Sequence, residues 1–222
     1  DDVRVTEIMK EVYGPFLRMG NPFLTMSVRS AEMTKYAVNT MLAARISMVN
    51  QLSRVAEACG ADIGEVREGL ASDKRIGPAY LYAGLGYGGS CLPKDVRACA
   101  ELARELGAPA DMLDAIHAIN EKQIVHFITR IVEHYDGSVH GKHIAMWGAT
   151  FKARTDDIRH APALRVIDAL LDGGASVSVF DPVAGPKLRA QYGDRITVAP
   201  KPYVALEGAD ALVITTEWRE FQ

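Results

Sequence analysis

The run Lys142-His143-Ile144-Ala145-Met146-Trp147 marks the point at which the sequence changes character. It is the first of four short apolar or β-branched runs, and a stretch with helical spacing follows each of the first three. The other runs cover residues 176–180, 196–198 and 211–215, and the helical stretches cover residues 161–171, 185–192 and 203–207. Strands that alternate with helices are typical of a parallel sheet in an α/β protein. We therefore predict a parallel-sheet domain over residues 137–222.

Upstream of this run the sequence predicts helices almost throughout. The opening segment, residues 3–17, is predicted as a short helix that is interrupted at Gly14-Pro15, and a turn-rich passage through residues 20–22 follows. Further helices are predicted over residues 30–59, 62–70, 93–106 and 109–135. We therefore expect an all-helical domain of residues 1–136 in front of the sheet, with the boundary near Asp136.

The helix predicted over residues 30–59 is long because no Gly or Pro interrupts it. Ser30 is the expected N-cap, and Gly60 is expected to end the helix. Apolar residues lie on more than one side, so the helix should pack on several faces. A second copy of the chain is one candidate neighbour, and we expect a homodimer through this helix.

Composition excludes several classes of partner. The 222 residues carry a formal net charge of -3, and the basic residues form no run that would attract nucleic acid. No stretch approaches the roughly 20 apolar residues of a membrane span. The amino end resembles neither a signal nor a transit peptide. We expect a cytoplasmic protein that binds neither nucleic acid nor membrane.

The three cysteines, Cys59, Cys91 and Cys99, form no CxxC pair. Their odd number argues against a disulfide framework, and the missing pair argues against a thiolate zinc site. No histidine pair has the spacing of a zinc protease. We expect reduced thiols and no metal site.

The segment Gly84-Leu85-Gly86-Tyr87-Gly88-Gly89-Ser90-Cys91-Leu92-Pro93-Lys94-Asp95 is the most informative for chemistry. It satisfies GxGxxG formally, but no strand-like run precedes it, so we do not interpret it as a dinucleotide fingerprint. The glycines permit positive φ and close approach of a ligand, and Cys91 falls at the start of the predicted helix beside Lys94. Both features favour a thiolate, so Cys91 is the candidate nucleophile. The alternative is a small buried thiol, which is our interpretation of Cys59 and Cys99.

Four separated motifs resemble the UDP-glucose/GDP-mannose dehydrogenase family. The first is the loop Gly88-Gly89-Ser90-Cys91 followed by an apolar residue and Pro93-Lys94-Asp95. The others are residues 31–39 (AEMTKYAVN), 151–159 (FKARTDDIR) and 216–218 (TEW), which occur in the family's order. The resemblance extends over essentially the whole chain. It implies a helical dimerisation domain followed by a Rossmann-like domain that binds a nucleotide sugar.

The resemblance also implies a reaction. Enzymes of this family oxidise the primary alcohol of a nucleotide sugar to a carboxylate with two successive molecules of NAD. If this reaction is carried over to the present sequence, the resemblance implies that Cys91 forms a thiohemiacetal and then a thioester. Lys35 would stabilise the charge on the reacting oxygen, and Asn39 and Asp95 would position water. From spacing alone, Lys35 and Asn39 share one helix face, and this spacing favours a solvated surface; only the resemblance assigns them to a site.

Further site residues follow from the same resemblance. The predicted substrate-binding residues are Lys35, Tyr80, Leu81, Tyr82, Ala83, Gly84, Gly88 and Lys152. Lys94 and Arg159 are the predicted NAD-binding residues. Without the family, Tyr80 and Tyr82 fit a hydrophobic lid, and the loop from Lys152 to Arg159 fits an exposed, solvated segment. Asp181 is a candidate for a ribose hydroxyl, although Asp-Pro is also a common turn.

The match has gaps, and the sequence fits more than one function. The family's amino-terminal NAD-binding domain and its last carboxyl-terminal strand have no counterpart here, so we expect this chain alone to turn over little. The segments at residues 74–77 and 147–152 favour UDP-glucose as substrate over GDP-mannose and UDP-N-acetylmannosamine, which the same loop motif also fits. Two functions of a different class also fit the sequence. One is a non-catalytic nucleotide-sugar-binding module, and the second is a cysteine hydrolase that uses His117 or His126.

Overall fold

The computed structural model describes residues 2–17 and 22–221. These residues form helices in the first part of the chain and a parallel sheet with flanking helices in the second, which confirms the predicted α/β class. The chain divides into two compact units, Asp1–Val38 and Asn39–Gln222. The boundary near residue 136 stays a prediction. No helix in the described part of the chain is long and apolar enough to cross a membrane.

The first unit contains α1 (Val3–Leu17) and the beginning of α2 (Val28–Cys59). Helix α1 runs through Pro15, so the predicted interruption at Gly14-Pro15 is wrong. Pro15 lies in the last turn, where the loss of one N–H and the crowding of one carbonyl affect little remaining helix. Of the predicted turn at residues 20–22, residues 20 and 21 lie outside the described residues.

Helix α2 begins earlier than predicted, and its cap is a different serine. Ser27 Oγ accepts a hydrogen bond from the Ser30 N–H at 3.2 Å, which is the geometry of an N-cap side chain and the third helical residue. Ser30 is therefore inside the helix, and its prediction as N-cap is wrong. From Asn39 onward α2 belongs to the second unit, where it buries Ala43, Ser47 and Val49.

Three further helices precede the sheet: α3 (Ile63–Ser72), α4 (Leu92–Glu105) and α5 (Asp111–His134). The Asp62 carboxylate caps α3 by accepting from the Gly64 N–H at 2.6 Å. Side chains from α2, α4 and α5 meet in a small core around Tyr87, composed of Ala43, Val96 and Ile116. The glycine-rich segment between α3 and α4 is thus attached to the helices through Tyr87.

The sheet contains β1 (His143–Trp147), β2 (Ser176–Phe180), β3 (Thr197–Val198) and β4 (Ala211–Ile214). All neighbours are parallel in the order β3-β2-β1-β4, as in a Rossmann-like sheet. Helix α6 (Pro162–Asp172) connects β1 to β2, and α7 (Gly185–Tyr192) follows β2. The stretch Tyr203–Leu206 is a 3₁₀ helix and not the predicted α-helix, because too few residues separate Pro202 from the left-handed Gly208.

The sheet packs on α6 through a fully buried core. Ile144 and Met146 from β1 and Ile167 and Leu170 from α6 are each 0% exposed. Burying a side chain of this size contributes about 1.5–3 kcal/mol. The core fixes the carboxyl ends of β1 and β2, and hence the segment 148–160 that follows β1.

Candidate active site

The glycine-rich loop, residues 84–91, contains no helix or strand and leads directly into α4. Among the described residues before it, helices are present and no strand is. Cys91 is the N-cap residue of α4, is exposed, and its side chain makes no capping bond. Its Sγ lies 3.7 Å from Ser90 Oγ. An exposed thiol at the start of a helix is accessible to a substrate, so this position suits a nucleophile.

A buried polar pair lies one turn along α4 from Cys91. Asp95 is 3% exposed and Asn39 is 8% exposed. The Asn39 Nδ2 donates to Asp95 Oδ2 at 2.5 Å, and the Lys94 ammonium forms an ion pair with the other carboxylate oxygen. The carboxylate is therefore held in a fixed orientation one helical turn from Cys91. Lys35 is exposed on α2, one turn before Asn39, and belongs to the first unit.

The loop packs closely on the segment that follows β1. A Cβ added at Gly88 lies 2.3 Å from the His160 carbonyl oxygen and 2.7 Å from Pro162 Cδ. A Cβ at Gly89, where φ is +80°, lies 2.8 Å from the Phe151 ring. These two glycines thus let the loop touch the sheet part of the unit, and they bring Cys91 close to the segment that contains Arg159.

Most of the predicted substrate residues line one cavity of about 620 Å³. Tyr80, Tyr82, Ala83 and Gly84 lie along it from the loop, and Lys152 lies along it from the segment after β1. Tyr80 has φ +60°, an unusual conformation for a bulky residue that is often found at functional sites. The Tyr82 ring lies under the Arg67 guanidinium at 3.9 Å.

Besides Lys35, which belongs to the first unit, two predicted substrate residues do not line this cavity. Leu81 is 4% exposed and part of the buried interior. Gly88 is buried against residues 160–162. Their contact with a substrate stays a prediction, whereas their packing role is evident from the structure.

The two predicted cofactor residues line a second cavity, of about 880 Å³. Lys94 and Ser90 reach it from the glycine loop and α4, and Arg159 reaches it from the segment after β1. The Asp157 carboxylate pairs with Arg159 at 2.8 Å and raises the pKa of the guanidinium, with attraction to Cys91 as a smaller cause. The same pairing lowers the pKa of Asp157 to about 2. Asp157 therefore holds the Arg159 guanidinium at this cavity.

Sequence profiles of two domains of a known family match this chain. The profile of the central domain of the UDP-glucose/GDP-mannose dehydrogenase family matches residues 29–122, and that of its UDP-binding domain matches residues 145–222. The chain belongs to the UDP-glucose/GDP-mannose dehydrogenase family. The match confirms the resemblance predicted from the glycine loop and the three other motifs.

Individual relatives agree with this assignment. A UDP-glucose 6-dehydrogenase of Pseudomonas aeruginosa is 42% identical over 100% of this chain and 50% of the relative. UDP-glucose 6-dehydrogenase TuaD of Bacillus subtilis is 39% identical over 98% of this chain and 46% of the relative. The chain thus spans about half the length of the curated relatives it matches.

Solved structures of the family share the fold. A UDP-glucose dehydrogenase from Pyrobaculum islandicum superimposes with a TM-score of 0.91 at 36% identity, over 99% of this chain and 50% of that chain. A UDP-D-ManNAc dehydrogenase from Pyrococcus horikoshii superimposes with a TM-score of 0.77 at 25% identity, over 98% and 49% of the two chains. A GDP-mannose dehydrogenase from Pseudomonas aeruginosa gives a TM-score of 0.58 at 26% identity, over 100% and 52%.

Three other predictions concern Asp181, a cysteine hydrolase and a metal site. Both oxygens of Asp181 accept from backbone N–H groups, including those of Ala149 and Ala184 at 2.8 Å each, so this residue organises the turn after β2. Within residues 2–17 and 22–221, Cys91 Sγ lies against Ser90 Oγ, and membership of a dehydrogenase family argues against a cysteine hydrolase. The same residues contain no group of three or more side chains suited to a metal ion.

Sequence reasoning missed three buried amides that contact the glycine loop: Asn50, Asn120 and Gln123. Each lies on a helix and turns inward, with exposures of 0%, 3% and 8%. An amide on an apolar helix face is the signal that identifies such residues, because a buried amide needs hydrogen-bond partners.

The Tyr87 hydroxyl yields a stability prediction. The side chain is 4% exposed, its hydroxyl has no hydrogen-bond partner in the described part of the protein, and burial followed by Glu121 raises its pKa. Because a buried unpaired hydroxyl is destabilising, Tyr87→Phe should keep or raise the unfolding free energy, by up to about 1 kcal/mol. Calorimetry of the full-length protein measures this.

A buried tyrosine with a partner supplies the control. The Tyr192 hydroxyl donates to the Leu164 carbonyl at 3.3 Å, and Tyr192 is also 4% exposed. Tyr192→Phe should therefore lose about 1 kcal/mol. If Tyr87→Phe lowers the unfolding free energy as much as Tyr192→Phe does, the Tyr87 hydroxyl has a hydrogen-bond partner.

Proposed function

We propose that the full-length protein containing this chain oxidises UDP-glucose to UDP-glucuronate with NAD as the oxidant. The observation that carries the proposal is the position of Cys91 at the start of α4, one helical turn from the buried Asn39–Asp95 pair. This arrangement combines an exposed thiol with a fixed carboxylate one turn along the helix. Because the chain belongs to a dehydrogenase family, we assign the thiol and the carboxylate to an oxidation.

The cavity that contains Lys152 is the proposed nucleotide-sugar site. Its volume of about 620 Å³ is in the range of small-molecule sites. The Lys152 ammonium carries the positive charge that a diphosphate requires, and Tyr80 and Tyr82 offer aromatic surface for a base or sugar. UDP-glucose is favoured as substrate because the relatives with 42% and 39% identity are UDP-glucose 6-dehydrogenases.

In the proposed mechanism Cys91 retains the intermediate. The first oxidation converts the primary alcohol of the sugar to an aldehyde, and the Cys91 thiolate adds to the aldehyde carbon to give a thiohemiacetal. Loss of a hydride from that carbon leaves a thioester, and water then displaces the thiolate to give the carboxylate. Lys35 is proposed to stabilise the oxyanion, and Asp95, oriented by Asn39, to position the water.

The cavity at Lys94 and Arg159 is suited to NAD. Both side chains are well exposed, at 68% and 69%, so their charges are accessible to a diphosphate. Bound NAD would supply the hydride acceptor for both oxidations. Lys94 and Arg159 would hold it from the side of the glycine loop, with Ser90 at the cavity edge.

We further propose a homodimer through α2 and a cytoplasmic location. Met41, Met48 and Val55 recur at seven-residue intervals on one helix face and are 61%, 59% and 58% exposed. Such an apolar stripe on a long helix suits a second copy of the chain. Three free cysteines fit a reducing compartment.

The test is NADH formation by the full-length protein with UDP-glucose, GDP-mannose and UDP-N-acetylmannosamine in separate reactions. We expect two NADH per UDP-glucose, and at least about a tenfold lower kcat/KM for the other two sugars, which corresponds to about 1.4 kcal/mol of discrimination. A preference for GDP-mannose or UDP-N-acetylmannosamine would reassign the substrate. No NADH with any of the three would leave a nucleotide-sugar-binding module without chemistry.

A further inference from the structure

The backbone of the glycine loop is held by side-chain amides instead of by a strand partner. Asn50 on α2 and Asn120 and Gln123 on α5 all hydrogen-bond to the main chain of residues 84–87. We propose that these residues, the amide clamp, are positioning residues that fix the loop for the proposed oxidation. The proposal rests on the proposed function for its catalytic consequence but not for its geometry.

Asn120 pairs with both main-chain polar groups of Tyr87. Its Oδ1 accepts from the Tyr87 N–H at 2.8 Å, and its Nδ2 donates to the Tyr87 carbonyl at 3.1 Å. The side chain thus supplies the two hydrogen bonds that a neighbouring strand would give. Because the pair is buried, losing either bond leaves an unsatisfied polar group in the interior.

Gly84 is held from two helices at once. Its N–H donates to Asn50 Oδ1 at 2.8 Å, and its carbonyl accepts from Gln123 Nε2 at 2.8 Å. The side-chain oxygen of Gln123 accepts a hydrogen bond from Arg54 Nε at 3.1 Å, and this bond orients the amide. The loop is therefore fixed at Gly84 by α2 and α5, and again at Tyr87 by α5.

The glycine between these two points is explained by the clamp. A Cβ at Gly86, where φ is +104°, lies 2.4 Å from Asn120 Oδ1. Any other residue at this position displaces the amide. Glycine is thus required at position 86 because Asn120 on α5 packs against it.

The clamp acts on both proposed functions of the loop. Gly84, Gly86 and Gln123 line the nucleotide-sugar cavity, so movement at Gly84 changes its shape. Tyr87 is four residues before Cys91, so movement at Tyr87 shifts the nucleophile. A displacement on the order of 1 Å is enough to reduce catalysis about a hundredfold. Asn50 and Asn120 do not line this cavity and act through the backbone, whereas Gln123 holds Gly84 and also lines the cavity itself.

The test uses two conservative variants of the full-length protein, Gln123→Glu and Asn120→Asp. Gln123→Glu keeps the acceptor for Arg54 and strengthens that contact, but cannot donate to Gly84. Asn120→Asp keeps the acceptor for the Tyr87 N–H, but cannot donate to its carbonyl. Gln51→Ala is the matched control, since Gln51 is an exposed amide next to Asn50.

We expect both variants to lower kcat/KM for UDP-glucose by about 10- to 100-fold, with the control within about twofold of wild type. Gln123→Glu should mainly raise KM, and Asn120→Asp should mainly lower kcat. Amide hydrogen exchange of residues 84–87 should be at least about tenfold faster in both. If Asn120→Asp does not fold, Gln123→Glu decides the test, because its contact with Arg54 preserves packing.

Unchanged exchange in Gln123→Glu would show that the amides do not fix the loop. Faster exchange with kcat/KM within about twofold of wild type would make the clamp a stability element only. Wild-type protein without NADH formation would overturn the proposed function separately. The clamp is then judged by exchange and by the iodoacetamide reaction of Cys91, with Cys59 as internal reference. An unchanged Cys91 rate in the variants would overturn it.

Discussion

Cys91→Ala in the full-length protein should lower the rate of UDP-glucuronate formation from UDP-glucose by on the order of a thousandfold or more, because the change removes a covalent step and not only a contact. Without the thiolate, the aldehyde has no nucleophile at the start of α4 to retain it. The yield should therefore fall from two NADH to at most one per UDP-glucose consumed. Absorbance at the NADH band, with quantified sugar products, measures rate and yield together.

Cys59→Ala is the control for this experiment. Cys59 is exposed, so its interpretation as a buried thiol is wrong, whereas that of Cys99 is confirmed. Cys59 ends α2 and lies outside the glycine loop. This variant should keep the wild-type rate within about twofold, since surface changes away from a site have small effects. Two NADH per UDP-glucose from Cys91→Ala at more than a tenth of the wild-type rate would refute the covalent mechanism.

The part of the site that is local in sequence could be predicted from the sequence. The position of Cys91 depends only on the glycines before it and on Pro93 after it, so the start of α4 could be located to within one residue. The alternation of runs after residue 142 likewise predicts the parallel sheet, and the bounds of β2 and α7 agree with the structure. Local signals of this kind need no knowledge of distant contacts.

The rest depends on contacts between residues far apart in sequence. Asn39 and Asp95 are 56 positions apart, and their pairing was suggested only by the family resemblance. Asn120 is 33 positions from Tyr87, and no local pattern connects the two. Buried hydrogen bonds of this kind become visible only when the helices are packed.

The structure gives the loop glycines a different role from the one that the sequence suggested. The sequence suggested that they permit a ligand to approach the backbone. In the structure, the space at Gly86, Gly88 and Gly89 is instead taken by Asn120, the His160 carbonyl and the Phe151 ring. Gly84 alone among the loop glycines has nothing within 4 Å of an added Cβ, and it lines the cavity of the proposed substrate. Within this loop, close packing by the protein is therefore the main reason for glycine.

Gly88→Ala is the second substitution with a large expected effect. The new Cβ lies 2.3 Å from the His160 carbonyl oxygen and 3.2 Å from Ala161 Cα, and backbone groups cannot move away as a flexible side chain does. Overpacking of this kind costs about 1–3 kcal/mol, or roughly 3–10 °C in Tm for a protein of this size. The loop must move off residues 160–162, and Cys91 moves with it, so kcat should fall by about a hundredfold.

A glycine in open space is the matched control. Gly69 lies inside α3 with nothing within 4 Å of an added Cβ, so Gly69→Ala should keep activity and raise stability by about 0.5–1 kcal/mol. Thermal unfolding and kinetics of both variants separate packing from substrate binding at Gly88. A Gly88→Ala protein with wild-type Tm and kcat but a raised KM for UDP-glucose would mean that Gly88 contacts the substrate, as the family resemblance implies. A lowered Tm together with a lowered kcat would mean that Gly88 is required because the loop packs against His160, and that this packing holds the nucleophile in place.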